Sequence, residues 1–232
     1  MSAGLRRAAP PPRPGIGAAL IGLISDLLIT TGALLLLFVL WQLFWTDVVS
    51  DAAARKTVTE LEQDFGTEAA QPPAPDLGEA YAIVHIPRFG EDYARPLYQG
   101  TDRETLTEGI GHYDQTAGPG EIGNFAIAGH RTTYGKPFNQ IDDLESGDVL
   151  IIRTIDQWTV YRVTSSEIVL PTAAEVILPV PGNPTAEPTE ALITLTSCHP
   201  EFSARERYIV HGVLEATYPA DAEVPADLWK VD

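Results

Sequence analysis

A cysteine, a histidine and an arginine, each at the end of an apolar and strand-like run, are the residues of this chain that could do chemistry together. Cys198 is the sole cysteine; it closes Leu192-Ile193-Thr194-Leu195-Thr196-Ser197-Cys198 and is followed by His199-Pro200. His130 follows Phe125-Ala126-Ile127-Ala128-Gly129, and Arg207 opens Arg207-Tyr208-Ile209-Val210. These are the parts of acyl transfer through a thioester. The nucleophile is the thiolate, and a free thiol with a pKa of about 8.5 is only a few per cent ionised at neutral pH. An imidazolium nearby raises the thiolate fraction and can protonate a leaving amine. Arginine keeps its proton, so it acts as a fixed donor to a developing oxyanion and not as a base.

Other assignments compete. A lone cysteine is ordinarily a buried structural thiol. His199 adjoins Cys198, but neighbouring strand residues point to opposite faces, which favours His130 as the partner. His112 and His211 read as structural, and His85, inside an apolar run, as a packing residue. Arg205 and Arg207 share strand parity, so both could face the cysteine; Arg205 could instead pair with Glu201. No metal set is expected: the histidines are scattered, no HExxH occurs, and one cysteine builds no thiolate site. No Gly-rich loop follows a strand and opens a helix, so a nucleotide site has no support.

Strands must position these residues. Period-two runs rich in β-branched and aromatic residues predict strands at 81–87, 95–99, 123–129, 148–154, 157–164, 191–197 and 207–216. Thr154-Ile155-Asp156 reads as a hairpin turn; helical turns are expected over 138–144 and 172–177. A Pro-rich loop, 179–190, precedes the cysteine strand. Many strands with few helices imply a closed, mainly β barrel over residues 79–218. About eight strands are expected, which leaves one unlocated. A thiol at a strand end would sit at the barrel rim. Residues 219–232 read as an acidic C-terminal tail.

Residues 27–45, LLITTGALLLLFVLWQLFW, carry no charge. As a helix they cover ~28 Å, the thickness of a bilayer core. The apolar stretch reaches back to Ile16 with Asp26 as its one interruption, so residues 16–46 are expected to be a transmembrane anchor. Trp41, Phe44 and Trp45 at its end suit an interfacial belt. Arg6, Arg7 and Arg13 precede it with no acidic residue, which predicts a cytoplasmic tail over 1–15 and an extracytoplasmic remainder. A cleaved signal peptide would have a shorter apolar region, and a buried soluble helix would not run uninterrupted this far. Residues 47–78 read as a linker, a short polar helix and then a Pro-rich stretch. After residue 46 the chain has 31 acidic against 12 basic side chains, which argues against nucleic-acid or anionic-lipid partners. A single exported cysteine forms no internal disulfide, and its exposure to oxidation raises the question of reactivity.

Ala128-Gly129-His130, Thr194-Leu195-Thr196-Ser197-Cys198 and Arg207-Tyr208-Ile209-Val210, in that order behind an N-terminal anchor, resemble the sortase family. Ser197 stands where Thr is usual and keeps the hydroxyl; Cys198 and Arg207 are nine residues apart. The segment Gly129-His130-Arg131-Thr132-Thr133-Tyr134-Gly135 and Cys198-His199-Pro200 look most like class E sortases of high-GC Gram-positive bacteria. The resemblance implies an eight-stranded sortase-type β-barrel. It implies Cys198 as nucleophile, His130 as general acid/base and, in preference to Arg205, Arg207 as oxyanion stabiliser. It implies cleavage of a C-terminal LPXTG-like motif between Thr and Gly through a thioacyl intermediate, then transfer to an amine on a lipid-linked peptidoglycan precursor. Class E members tend to take Ala at the second motif position; Tyr113, Ala128 and Thr196 are the implied substrate-binding residues. No cofactor is expected. Calcium orders the loop before the cysteine strand in some relatives, but Glu187 and Glu190 there read as solvated surface. The alternatives are a cysteine endopeptidase using water and an anchored binding module with a structural cysteine.

Overall fold

The computed structural model describes residues 15–65 and 74–230. Residues 1–14 of the tail expected over 1–15, residues 66–73 of the linker and the last two residues lie outside the described residues, as does the side chain of Phe44. The chain divides into two compact units, Met1–Trp45 and Thr46–Asp232. Helix α1 is assigned over Ile16–Phe65. Within it, Leu20–Trp41 is 22 residues with a mean hydropathy of 2.3, none of it buried in protein; by length and composition it can cross a membrane.

The second unit is a closed eight-stranded barrel. Its strands are β1 (Ala80–His85), β2 (Ala94–Gln99), β3 (Ile110–His112), β4 (Gly123–Ala128), β5 (Val149–Arg153), β6 (Gln157–Val169), β7 (Ala191–His199) and β8 (Glu206–Pro219). Around the barrel they run β1-β2-β3-β4-β7-β8-β6-β5. The β2/β3 and β4/β7 pairs are parallel and the rest antiparallel. Alternation fills the interior: Val84, Leu97, Phe125, Ile127, Leu150, Ile152, Tyr161, Ile193, Leu195 and Val210 form one buried cluster.

The unlocated strand is β3. Three residues are too few to show alternation, and its middle residue is Gly111, where a Cβ would lie 2.3 Å from the Gly100 carbonyl oxygen. A short helix, α2 (Arg103–Glu108), was not expected; Asp102 caps it, Oδ1 accepting from the Glu104 and Thr105 amides at 2.9 and 3.2 Å. The expected helical turns are 3-10 turns at Ile141–Asp143 and Ala174–Ile177.

Both flanks of the barrel sequence fold onto it. The part of α1 after residue 46, expected as a polar linker helix, buries Ala54, Val58 and Leu61, and the last two pack on Ile83. Three ion pairs flank this face: Asp47–Lys136, Asp51–Arg95 and Glu62–Arg153. Beyond β8, the expected acidic tail turns back, and Leu228 is buried against Val149, Ile151 and Val160, with Trp229 beside it.

Candidate active site

Register brings the three residues to one place. In the antiparallel β7/β8 pair, Cys198 is the direct partner of Arg207. In the parallel β4/β7 pair, Ala128 is the partner of Thr196. That match continues past the end of β4: the Gly129 amide donates to the Thr196 carbonyl at 3.2 Å and Ser197 Oγ donates to the Gly129 carbonyl at 2.8 Å. His130 therefore follows alongside Cys198. Because Ile193 and Leu195 point into the core, Thr194, Thr196 and Cys198 point outward. The site is on the outer wall of the barrel at its rim, and the Cys198 thiol is part-exposed.

A groove of about 230 Å³ runs from there along the wall. Tyr113, Thr196, Arg207 and Ile209 line its barrel side, and Val169 at the end of β6 with residues of the β6–β7 loop from Leu170 to Ile177 line the other. Asn124 tethers that loop, donating to the carbonyls of Val176 at 3.1 Å and Leu178 at 3.0 Å. Tyr113 Oη and Thr196 Oγ1 hydrogen-bond at 3.1 Å. Ala128, expected beside them, is buried next to Thr196 and does not line the groove. A larger cavity of about 640 Å³ lies farther along, walled by Glu167, Glu190, Leu192 and His211. Arg207 and Thr196 line the smaller groove and not the larger cavity, so the smaller groove is the one that adjoins the candidate residues.

Burial lowers the His130 pKa below the ordinary histidine value, with no charged partner contributing. Its Nε2 is buried without a hydrogen-bond partner among the described residues, and the ring lies against Tyr134 with centroids 5.0 Å apart. Arg207 uses one terminal nitrogen on its own loop, donating to the carbonyls of Ala204 at 3.1 Å and Glu206 at 2.9 Å. Its other donors remain available to a ligand in the groove.

The competing residues go elsewhere. His199 pairs across the ladder with Glu206 and meets Arg131 at its Nδ1, 3.4 Å away. His211 joins Thr194 Oγ1 at 3.0 Å to Glu167 at 3.1 Å. His112 is buried in a network with Tyr81, Gln99 and Thr116. His85 is held between Trp158 and Trp229. Arg205 is exposed and precedes β8, so it has no ladder position facing Cys198.

Arg131 was missed. Only 4% exposed, it donates to the Asn139 carbonyl at 3.1 Å, pairs with Asp142 and reaches the Cys198 carbonyl at 3.5 Å. It ties the loop after His130 to the backbone of the cysteine. Its position directly after His130, as the one arginine in that stretch, was the available signal.

The comparisons cover the same stretch of the chain. The family described as "Sortase domain" matches residues 84–215. Sortase SrtE1 of Streptomyces coelicolor is 36% identical over 228 residues, covering 95% of this chain and 64% of that protein. Sortase SrtE2 of the same organism is 33% identical, covering 91% of this chain and 88% of that one. The crystal structure of sortase E1 from Streptomyces coelicolor with a tripeptide in the active site is 34% identical, with a TM-score of 0.60 over 67% of this chain and 99% of that one. This chain thus spans less than two thirds of SrtE1 and most of SrtE2. A match that takes in β4, β7 and β8 together, on the same closed barrel, makes this chain a member of the sortase family.

Proposed function

We propose that the chain is a membrane-anchored cysteine transpeptidase. It cleaves a C-terminal sorting motif of the LPXTG or LAXTG kind between Thr and Gly and passes the acyl group to an amine on a lipid-linked cell-wall precursor. The observation that carries the reading is the register: Cys198 opposite Arg207, with His130 alongside, next to a groove that Arg207 and Thr196 line.

In this reading burial keeps the resting His130 ring neutral near pH 7, so it accepts the thiol proton as Cys198 Sγ attacks the Thr carbonyl carbon. Arg207 donates to the oxyanion that forms. The tetrahedral adduct collapses, the C–N bond breaks, and His130 returns the proton to the leaving glycine amine. The incoming amine then attacks the thioester carbonyl, gives up a proton to His130, and restores the thiol. The likeness to the class E sortases SrtE1 and SrtE2 supports a preference for Ala at the second motif position, with Tyr113 and Thr196, in contact at the groove wall, as residues that would meet it. The tripeptide in the related sortase E1 supports a peptide ligand. Three arginines ahead of the apolar helix support a cytoplasmic N-terminus and an extracytoplasmic barrel.

The test uses the full chain in detergent micelles with fluorogenic LAXTG and LPXTG peptides, with and without a glycine-type amine. Ligated product in the presence of amine, and faster turnover of LAXTG, are expected. Hydrolysis that the amine does not divert would make the protein an endopeptidase. No cleavage, with Cys198 inert to alkylation, would make it a binding module.

A further inference from the structure

We propose that Tyr134 is the positioning residue of His130, and that residues 47–54 of α1 hold it in place. The inference rests on the reading of His130 as the acid/base. In most sites of this chemistry a third polar group orients the base. Among the described residues no such group meets the His130 ring: Nε2 is buried without a partner, and burial alone shifts its pKa. What the ring does meet is Tyr134, in a tilted stack with centroids 5.0 Å apart. Tyr134 is itself 40% exposed, so it is not there to fill the core.

The backbone that presents Tyr134 is strained. Tyr134, Gly135 and Lys136 are all left-handed, with φ of 54°, 70° and 39°. Non-glycine residues enter this region singly and at a cost, and consecutive ones persist only where the surroundings over-determine them. The turn's own bond, Lys136 amide to Thr133 carbonyl at 2.9 Å, is one restraint, and the Phe138 amide to the His130 carbonyl at 3.0 Å closes the loop.

The other restraints come from α1. Lys136 Nζ pairs with Asp47 at 2.7 Å. Gly135 packs so closely on the helix that a Cβ there would lie 3.3 Å from Ser50 Cβ and 3.4 Å from Asp51 Oδ1. Asp51 is fixed in turn by Arg95 at 2.7 Å. Tyr134, Ser50, Asp51 and Ala54 border one gap of about 10 Å³, room for no more than one water. Asp47, Ser50, Asp51 and Ala54 recur at helical spacing, so one face of α1 makes every contact. The segment that follows the apolar span thus sets the rotamer space of the catalytic imidazole through one tyrosine.

The test uses the full chain in detergent micelles, with steady-state transpeptidation and NMR titration of histidine-labelled protein. Tyr134→Ala should lower kcat by about tenfold, the scale of a misplaced catalytic group, with KM within about twofold of wild type. It should also move the His130 midpoint up toward the ordinary value, because the ring loses its cover. Tyr134→Phe, which keeps the ring, should restore both. Asp47→Asn and Lys136→Gln should each lower kcat by about threefold, and the double variant should be no worse than the worse single, because both break one pair. Unchanged kcat in Tyr134→Ala, or reduced kcat with an unmoved His130 midpoint, would overturn the positioning role. Multiplying effects of Asp47→Asn and Lys136→Gln, or no effect of either, would overturn the hold by the helix. The titration needs no substrate, so it decides the Tyr134 contact even if the wild type turns over neither peptide.

Discussion

Arg207 owes its place to its ladder partner. A residue opposite Cys198 on a neighbouring strand projects from the same face, whereas Arg205, before β8 begins, has no such constraint. Arg207→Ala should therefore lower kcat by on the order of hundredfold, the scale of losing one oxyanion donor, and Arg205→Ala by less than about twofold. Equal losses from both would contradict the register argument. His130 predicts a pH effect of definite sign. Its pKa is lowered by burial, and under the proposed mechanism the neutral ring accepts the thiol proton, so activity should fall as pH drops through a midpoint below about 6.5. An acid limb above that value in kcat/KM would show that burial does not set the ring's titration. At this scale strand runs and parity were enough to single out Cys198 and His130 as residues at strand ends, but parity left Arg205 and Arg207 both open, and it is the β7/β8 register that sets Arg207 opposite Cys198. Arg131 and Tyr134 were not legible, since both sit in a loop whose path depends on contacts remote in sequence.

At the scale of elements, residues 47–65 carry two signals. Their charged residues make them look like a solvated linker, yet Ala54, Val58, Leu61 and Phe65 recur at the spacing of one helix face. Three of them are buried, and Phe65 packs beside Val58, Leu61 and Ile83. Removing the Leu61 side chain beyond Cβ should cost about 2 kcal/mol at this buried position on the outside of β1. Leu61→Ala should accordingly lower the barrel's Tm by several degrees in a thermal scan. An unchanged Tm would mean that the helix rests on the barrel without stabilising it. Strand β3 gave no comparable signal: Ile-Gly-His is too short to alternate, and only its pairing with β2 and β4 makes it a strand.

At the scale of the molecule, the acidic composition after residue 46 hides how the C-terminal segment is used. Leu228 and Trp229 fold back across the barrel, and Trp229 closes with Trp158 over the part-buried ring of His85. Burial pushes the His85 pKa down to about 4, against an ordinary value of 6.5. A histidine lowered in the folded state favours the fold fully above the unfolded pKa, and that stability is lost as pH falls through the folded one. Unfolding free energy should thus drop by on the order of 3 kcal/mol between about pH 6.5 and 4 from this residue alone. His85→Phe should flatten that slope in urea titrations followed by tryptophan fluorescence; an unaltered slope would place the acid sensitivity elsewhere.

The central claim is that Cys198 carries the acyl group of a cleaved peptide. Intact-mass measurement of the full chain incubated with an LAXTG peptide tests it most directly. An adduct equal to the peptide up to its Thr should form on Cys198, disappear when a glycine-type amine is added, and be absent from Cys198→Ala. Peptide cleavage that proceeds in Cys198→Ala would contradict the account.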